Sequence, residues 1–265
     1  MVYRRGGRKA AAKPSHDEAT EGRYSRPMAA CTIGMNGSRI SVAILAGGES
    51  RRMGRDKGLL PLGGKCMIEA VAERLSPYAD ELIIGSNDAA AYAFTGFRVV
   101  PDLERGHGPM MGVLSCLEAA RNGSVLFAPC DVPVIPDAFV RLMLETAMDA
   151  DIAMPLDELG RPEPLLAAYS RRTIPAIRRL LDGGMRRMAA LMGDDLRSEY
   201  GLTLSLARYP DMGWYRNVNT TADYESLLAE LAGAPAVERA ELAGAPAVER
   251  AELAEAPAME RAERP

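Results

Sequence analysis

The sequence has few of the side chains on which much enzyme chemistry depends. Its 265 residues include 2 histidines, 4 cysteines and 1 tryptophan. His16 lies in a basic leader, so a Ser–His–Asp or Cys–His hydrolase, or a histidine-ligated zinc enzyme, would have to be built on His107 alone. This shortage argues against those classes and leaves carboxylates, lysines and arginines to carry any chemistry.

Long hydrophobic runs are missing as well. No apolar run approaches the roughly 20 residues that span a bilayer, and the N-terminus has no hydrophobic segment followed by a cleavage site. The cysteines, Cys31, Cys66, Cys116 and Cys130, fit neither C-x-x-C spacing nor a disulfide framework, so we expect reduced and mostly buried thiols. The net charge of −4 gives no general attraction to nucleic acid or to an anionic membrane. A cytoplasmic protein is therefore predicted.

Both ends of the chain lack a pattern that would build a core. Residues 1–39 carry eight Lys/Arg against three Asp/Glu without a sustained period, and are predicted to be a disordered basic leader. An 11-residue repeat begins at residue 230 and contains one proline per unit, at Pro235, Pro246 and Pro257. Because each proline removes a backbone donor, we predict that residues 232–265 form a low-complexity tail of short helical pieces or flexible chain.

Residues 40–231 alternate between short apolar runs and helical patterns. Strands are predicted at SVAILAG, ELIIGSN, FRVVPD and SVLFAPCD, and helices at 66–78, 110–121 and 136–149. Two more strands are predicted in RPEPLLAAYS and LTLSLARYP, before a last helix in NVNTTADYESLLAEL. This alternation predicts a three-layer α/β/α domain with a mostly parallel, Rossmann-like sheet.

Small or polar residues follow four of the predicted strands, namely Gly47, Asn87, Asp102 and Asp131. In parallel α/β sheets, ligands bind beyond the carboxyl ends of the strands. The four strand ends therefore predict one cleft.

The segment AILAGGESRRMGRDKGLLPLGGK, residues 43–65, indicates a phosphate-binding loop. Glycines let backbone N–H groups approach an anion, and Arg51, Arg52 and Lys57 add positive charge. The dinucleotide fingerprint does not fit, because Gly47 and Gly48 are adjacent. The P-loop does not fit either, because five residues separate Gly58 from Gly64 and Cys66 stands in place of the metal-binding hydroxyl.

The two acidic strand ends are candidate metal or ribose contacts. A carboxylate fixed at Asp131, between a buried strand and a Val-Pro turn, could hold the Mg²⁺ that accompanies a nucleoside triphosphate, or simply cap a helix or turn. Asp102 could orient the metal, its waters or the ribose, or be an ordinary loop residue. Lys57 and Arg52 could neutralise the charge of a leaving pyrophosphate.

The motif NVNTTADY combines a helix start with two amides. Asn217 and Asn219 are two residues apart on an extended segment, so their side chains project from one face. Thr220 and Asp223 have the spacing of a helix cap, which does not account for the asparagines. These amides could bind a polar heterocycle or a phosphate.

Together these motifs resemble the molybdenum cofactor guanylyltransferases, a family of nucleotidyltransferases with the nucleotide-diphospho-sugar transferase fold. The pattern L-A-G-G-x-x-x-R-M-G-x-D-K runs from Leu45 to Lys57. G-P-x-x-G lies at 108–112, P-C-D-x-P at 129–133, R-P-x-P-L at 161–165 and N-x-N-T at 217–220. The resemblance covers about residues 40–231. Many nucleotidyltransferases share the first motif, and its combination with P-C-D-x-P and N-x-N-T narrows the resemblance to the guanylyl branch.

The resemblance implies GTP and molybdopterin as substrates and Mg²⁺ as cofactor. The residues expected at the nucleotide are Leu45, Ala46, Gly47, Gly48, Lys57, Asn87, Asp102 and Asp131. Asn217 and Asn219 would face the molybdopterin, and Arg52, Lys57 and Asp131 would be catalytic, with Asp131 as the metal ligand. Gly85 stands where relatives often have asparagine, so one base or ribose contact is missing unless Asn87 supplies it. Thr221 replaces the usual proline, which should cost little because threonine can occupy the first turn of a helix.

The implied reaction is attack of the terminal phosphate of molybdenum-bearing molybdopterin on the α-phosphorus of GTP, with release of pyrophosphate. Molybdopterin-delivering proteins and recipient molybdoenzymes are partners that this reaction would allow. Two alternatives remain within the enzyme class: CMP transfer to molybdopterin, or nucleotidyl transfer to a sugar phosphate. A third belongs to another class, a non-catalytic delivery protein for nucleotide or cofactor, against which the intact Lys57, Asp131 and Asn219 weigh.

Overall fold

The structure, a computed structural model, describes residues 40–47, 56–209 and 218–233. The basic leader, nearly all of the repeat tail and three predicted site residues, Gly48, Arg52 and Asn217, lie outside the described residues.

Nine strands and seven α-helices are found in the described ranges. The strands are β1 Ser41–Leu45, β2 Pro61–Leu62, β3 Lys65–Cys66, β4 Glu81–Gly85, β5 Arg98–Val100, β6 Ser124–Pro129, β7 Ile152–Leu156, β8 Ala168–Ser170 and β9 Leu204–Arg208. The helices are α1 Met67–Leu75, α2 Ala89–Tyr92, α3 Pro109–Ala119, α4 Asp137–Met148, α5 Ile174–Asp182, α6 Asp194–Tyr200 and α7 Thr221–Gly233.

Seven strands form one sheet in the order β5-β4-β1-β6-β8-β7-β9. Every pair is parallel except those of β8, which runs antiparallel to β6 and β7. The mostly parallel sheet predicted from the alternating pattern is therefore confirmed.

Alternate residues of β1 pack on opposite faces of the sheet. Val42 and Ile44 belong to one apolar cluster with α1 and α4, whereas Ala43 belongs to another with α3 and α5. Because strand side chains alternate with a period of two, one buried strand supplies both clusters. The result is the predicted three-layer α/β/α arrangement.

The segment that narrowly misses the P-loop pattern forms a β-hairpin. β2 pairs with β3 antiparallel, and Gly63 and Gly64 make the turn with φ of 56° and 87°. Two consecutive positive φ angles are the signature of a tight hairpin turn, for which glycine is the favoured residue. These glycines therefore serve the turn, in agreement with the rejection of a P-loop.

Strand β7 is not predicted from the sequence. Pro155 argues against a strand there because proline cannot donate to a ladder. The pairing with β8 extends only to Ile152 and Ala153, so Pro155 lies where that ladder has already ended. Helices α5 and α6 were likewise not predicted, and the strand predicted in RPEPLLAAYS is short, because only Ala168–Ser170 pair as β8.

Two further expectations can be compared with the structure. Cys116 and Cys130 are buried, Cys66 is partly buried, and all three are free thiols, as predicted. None of the helices in the described part of the chain is long and apolar enough to cross a membrane.

Candidate active site

The carboxyl ends of β5, β4, β1 and β6 lie side by side, because these four parallel strands are neighbours in the sheet. Gly47, Asn87, Asp102 and Asp131 follow them, so the strand ends meet at one edge as predicted. Gly47 is exposed, while the preceding residues are tied into the sheet: Ala46 N donates to Gly85 O at 2.9 Å, and Leu45 O accepts from Cys130 N at 3.1 Å.

Lys57 joins two motifs that are far apart in sequence. Its Nζ donates to Asp131 Oδ2 at 2.9 Å and to Asn219 Oδ1 at 2.8 Å. The side chains of Lys57 and Asp131 are 18% and 15% exposed, so the ion pair is shielded yet open to a ligand. The structure thus brings together three predicted site residues.

The segment carrying Asn219 is held against the end of β6. Val218 N donates to Asp131 O at 3.1 Å, and the Val218 side chain is buried in a cluster with Leu60, Leu62, Met67 and Ala70. Removing such a side chain from water contributes about 1.5–3 kcal/mol. Asn219 therefore reaches Lys57 because its neighbour is fixed in the core.

The predicted cap of α7 is confirmed. Asp223 N donates to Thr220 Oγ1 at 3.1 Å, and Asp223 Oδ2 accepts from the backbone N–H groups of Thr220 and Asn219 at 2.7 and 2.9 Å. The hydrogen bond with the Thr220 side chain, followed by those with the backbone, lowers the pKa of Asp223 below its ordinary value of 3.8. The same carboxylate thus begins the helix and orients the backbone of Asn219.

Asn87 and Asp102 form a reciprocal pair at the ends of β4 and β5. Asn87 Nδ2 donates to Asp102 Oδ2 at 2.7 Å, and Asn87 Oδ1 accepts from Asp102 N at 3.0 Å. The nearby Gly85 has no room for a side chain, because a Cβ there would lie 2.9 Å from Cys116 Sγ and 3.1 Å from Leu45 Cδ2. This crowding is a local reason why Gly85 carries no asparagine, while Asn87 supplies an amide two residues later.

The cysteine of P-C-D-x-P is not a candidate nucleophile. Cys130 is buried, and burial, followed by the charge of Asp131, raises the pKa of its thiol. Burial similarly raises the pKa of Cys116 to about 12. Since the thiolate is the reactive form, both residues act as small core side chains.

A metal centre built by the protein alone is not present in the described ranges, where no three His, Cys, Asp or Glu side chains are grouped to hold an ion. Asp131 is instead a single carboxylate at a ligand edge. One of its oxygens receives the Lys57 ammonium, and the other has no hydrogen-bond partner among the described residues. Mg²⁺ is commonly held by one or two carboxylates, with phosphate oxygens and waters as the other ligands, so this donor set fits it.

One polar group near the site, the Tyr92 hydroxyl, is not predicted from the sequence. It donates to Asp56 Oδ1 at 2.7 Å, and the same oxygen accepts from Gly58 N at 3.0 Å. Asp56 thereby caps the 3-10 turn Lys57–Leu59. Nothing in the sequence signals this pair, because its members are 36 positions apart in the chain and α2 has only four residues.

Comparison with known proteins agrees with this architecture. The model of the MobA-like NTP transferase domain matches residues 42–197. A probable molybdenum cofactor guanylyltransferase from Carboxydothermus hydrogenoformans is 35% identical over 193 residues, which cover 71% of this chain and 95% of the relative. A molybdenum cofactor guanylyltransferase from Haemophilus influenzae is 35% identical over 190 residues, covering 69% of this chain and 95% of the relative.

A solved structure shows the same fold. The molybdopterin-guanine dinucleotide biosynthesis protein A from Archaeoglobus fulgidus superposes with a TM-score of 0.57 at 26% identity, covering 70% of this chain and 95% of the other. The strand-end site and these matches define a nucleotidyltransferase with the nucleotide-diphospho-sugar transferase fold. More closely, the chain belongs to the MobA-like NTP transferase family, in the branch formed by the molybdenum cofactor guanylyltransferases.

Proposed function

We propose that the protein transfers GMP from GTP to the terminal phosphate of molybdenum-bearing molybdopterin, forming the guanine dinucleotide cofactor and pyrophosphate. The observation that carries the proposal is the contact of Lys57 Nζ with both Asp131 and Asn219. One cation thus connects the glycine loop with the acidic strand end and with the N-x-N-T segment. A triphosphate and an acceptor phosphate would meet at the same point.

The reaction requires no strong acid or base from the protein. A phosphate monoester carries about −1.5 to −2 charge at pH 7, so the attacking oxygen needs no strong base. What the reaction requires is alignment of two anions and neutralisation of the charge that develops on pyrophosphate. We assign both tasks to Lys57, with Arg52 of the same glycine-rich motif proposed as a second cation.

Mg²⁺ is proposed as the cofactor, with Asp131 as its protein ligand. Its carboxylate is held from one side by Lys57 and retains an oxygen for a cation. When bound, the ion would supply charge neutralisation on the triphosphate. The contribution of Asp131 is to fix the position of that charge relative to Lys57.

The remaining residues divide between the two substrates. We assign Leu45, Ala46, Gly47, Gly48, Asn87 and Asp102 to the nucleotide. Leu45 ends β1, Ala46 and Gly47 come next, and Asn87 and Asp102 come after the neighbouring strands β4 and β5. Asn217 and Asn219 are assigned to the molybdopterin. A cytoplasmic location, with molybdopterin-delivering and recipient molybdoenzymes as partners, completes the proposal.

The test is pyrophosphate release by the purified protein with Mg²⁺ and molybdopterin carrying molybdenum, with GTP, CTP and ATP compared at equal concentrations. Selective turnover of GTP, lost in Asp131→Ala, is the expected result. Preference for CTP would assign CMP transfer instead. Absence of turnover with all three nucleotides would favour a delivery protein, or a nucleotidyltransferase with a sugar phosphate acceptor.

A further inference from the structure

The turn that carries Lys57 is held by a buried hydroxyl from another element. Tyr92, the last residue of α2, is fully buried, and its hydroxyl donates to Asp56 Oδ1 at 2.7 Å. Burial, followed by the hydrogen bond to Asp56, raises the pKa of Tyr92 above its usual range, so the hydroxyl keeps its proton and remains the donor.

Asp56, which accepts the hydrogen bond from Tyr92, also accepts hydrogen bonds from the backbone after Lys57. The same oxygen that accepts from Tyr92 accepts from Gly58 N at 3.0 Å, and Leu59 N donates to Asp56 O at 3.2 Å. These two hydrogen bonds join residues on either side of Lys57 and fix its backbone conformation. The direction of the lysine side chain follows from that conformation.

Gly58 is required for the approach of the tyrosine. A Cβ on Gly58 would lie 2.7 Å from the Tyr92 hydroxyl oxygen, a distance that atoms without a hydrogen bond do not tolerate. Glycine at this position is therefore explained by contact with Tyr92 rather than by an unusual φ. Tyr92, Asp56 and Gly58 form one unit, which we call the lysine turn support.

We infer that Tyr92 is a positioning residue for nucleotidyl transfer, which acts through Asp56 to place the Lys57 ammonium between Asp131 and Asn219. The inference rests on the proposed function, because Lys57 is taken there to bind the triphosphate. We assign Tyr92 itself no contact with a substrate. Its hydroxyl sets how well the lysine is aligned with the phosphates.

The experiment measures two quantities in Tyr92→Phe, which keeps the ring and removes the hydroxyl. One is kcat/KM for GTP in pyrophosphate release; the other is the affinity for α,β-methylene GTP with Mg²⁺, measured by calorimetry. Both are expected to fall about tenfold, the equivalent of one hydrogen bond to a charged group. Tyr78→Phe is the matched control, because its hydroxyl also donates to an aspartate, Asp137 Oδ1, at 2.7 Å. It should leave both quantities unchanged.

A pair of Asp56 variants separates positioning from general stability. Asp56→Asn keeps an oxygen that can accept both hydrogen bonds and should stay within about threefold of wild type, whereas Asp56→Ala should lose about tenfold. Adding Tyr92→Phe to Asp56→Ala should cause no further loss of kcat/KM or of affinity, because the Asp56 carboxylate through which Tyr92 acts is already absent. If Tyr92→Phe does not fold, the two Asp56 variants still decide the question.

The possible results distinguish a failure of the positioning role of Tyr92 from a failure of the proposed function. Equal values for wild type and folded Tyr92→Phe, or for Asp56→Asn and Asp56→Ala, would overturn the positioning role. Absence of turnover in the wild type would instead reject the proposed function. In that case the affinity for α,β-methylene GTP still tests whether Tyr92 acts on the lysine.

Discussion

Carboxylates at the two ends of the parallel strands differ in how many hydrogen-bond partners they have. At the amino ends of the strands, Glu81 begins β4 and is satisfied on both oxygens: it accepts from Ser41 Oγ and Arg121 N at 2.8 Å each, and from Arg98 Nη2 at 3.0 Å. At the carboxyl ends, Asp131 has one cationic partner in the described residues, Lys57. Both side chains are shielded from solvent, with exposures of 6% and 15%.

This difference distinguishes a carboxylate that stabilises the fold from one that can bind a ligand. A buried carboxylate whose oxygens are all occupied stabilises the fold, because removing it leaves its donors without partners. A carboxylate that keeps an oxygen for a ligand adds little stability, but it can hold a cation. Substitutions at the two edges should therefore change different measured quantities.

Loss of the Asp131 carboxylate should have the largest effect. In Asp131→Ala we expect at least a hundredfold lower rate, about 3 kcal/mol in activation free energy, if the residue holds the metal. The free energy of unfolding should fall by less than in Glu81→Ala, because the Lys57 ammonium keeps its hydrogen bond to Asn219. Pyrophosphate release and urea unfolding of the same preparation measure the two effects. A near-normal rate would remove the assignment.

Glu81→Ala should give the converse result. Because the Ser41 hydroxyl and the Arg121 N–H lose their acceptor, the free energy of unfolding should fall by about 2–3 kcal/mol. The turnover of the folded protein should stay within about twofold of wild type. Urea unfolding checks the first value, with exposed Glu158→Ala as a control that should leave stability unchanged. A large loss of turnover in folded Glu81→Ala would contradict the claim that Glu81 contributes to stability and not to activity.

Asn219→Ala should have an intermediate effect confined to activity. The Lys57 ammonium loses one of its two partners, and the acceptor loses a proposed contact. We expect kcat/KM to fall about tenfold, with a larger rise in KM for molybdopterin than for GTP. The matched variant is Asn122→Ala, at the amino edge, where the amide donates to Ser41 Oγ at 3.2 Å. Equal losses of activity in both variants would contradict the assignment.

The smallest effect concerns the cap of α7. The pKa of Asp223 is lowered in the folded protein, so its contribution to stability is present above the unfolded pKa and is lost as the pH falls through the folded value, below about 3.8. Asp223→Asn should remove this pH dependence and should weaken the protection of the α7 amides from hydrogen exchange at neutral pH. Unchanged protection would show that packing alone holds the helix.

Elements with a strong local pattern could be predicted from the sequence, and those that depend on distant partners could not. β1, β4, β5 and β6 are apolar runs closed by a small or polar residue, so both their existence and their shared edge were predictable. β7 contains Pro155, and β8 has three residues that run against its neighbours; no local signal gives that direction.

The site follows the same rule. Lys57, Asp131 and Asn219 belong to motifs, and the order of the parallel strands brings them to one edge. The contact of Tyr92 with Asp56 could not be predicted, because it depends on how α2 leaves β4 and on the absence of a side chain at Gly58.

The central claim is that the carboxyl edge joins the α-phosphate of GTP to an acceptor phosphate. The most direct measurement follows GTP radiolabelled at the α-phosphate through a reaction with Mg²⁺ and molybdenum-bearing molybdopterin. We expect the label to appear in a molybdopterin dinucleotide while unlabelled pyrophosphate is released in equal amount. Label that stays in GTP, or that is released as free GMP without an acceptor product, would contradict it.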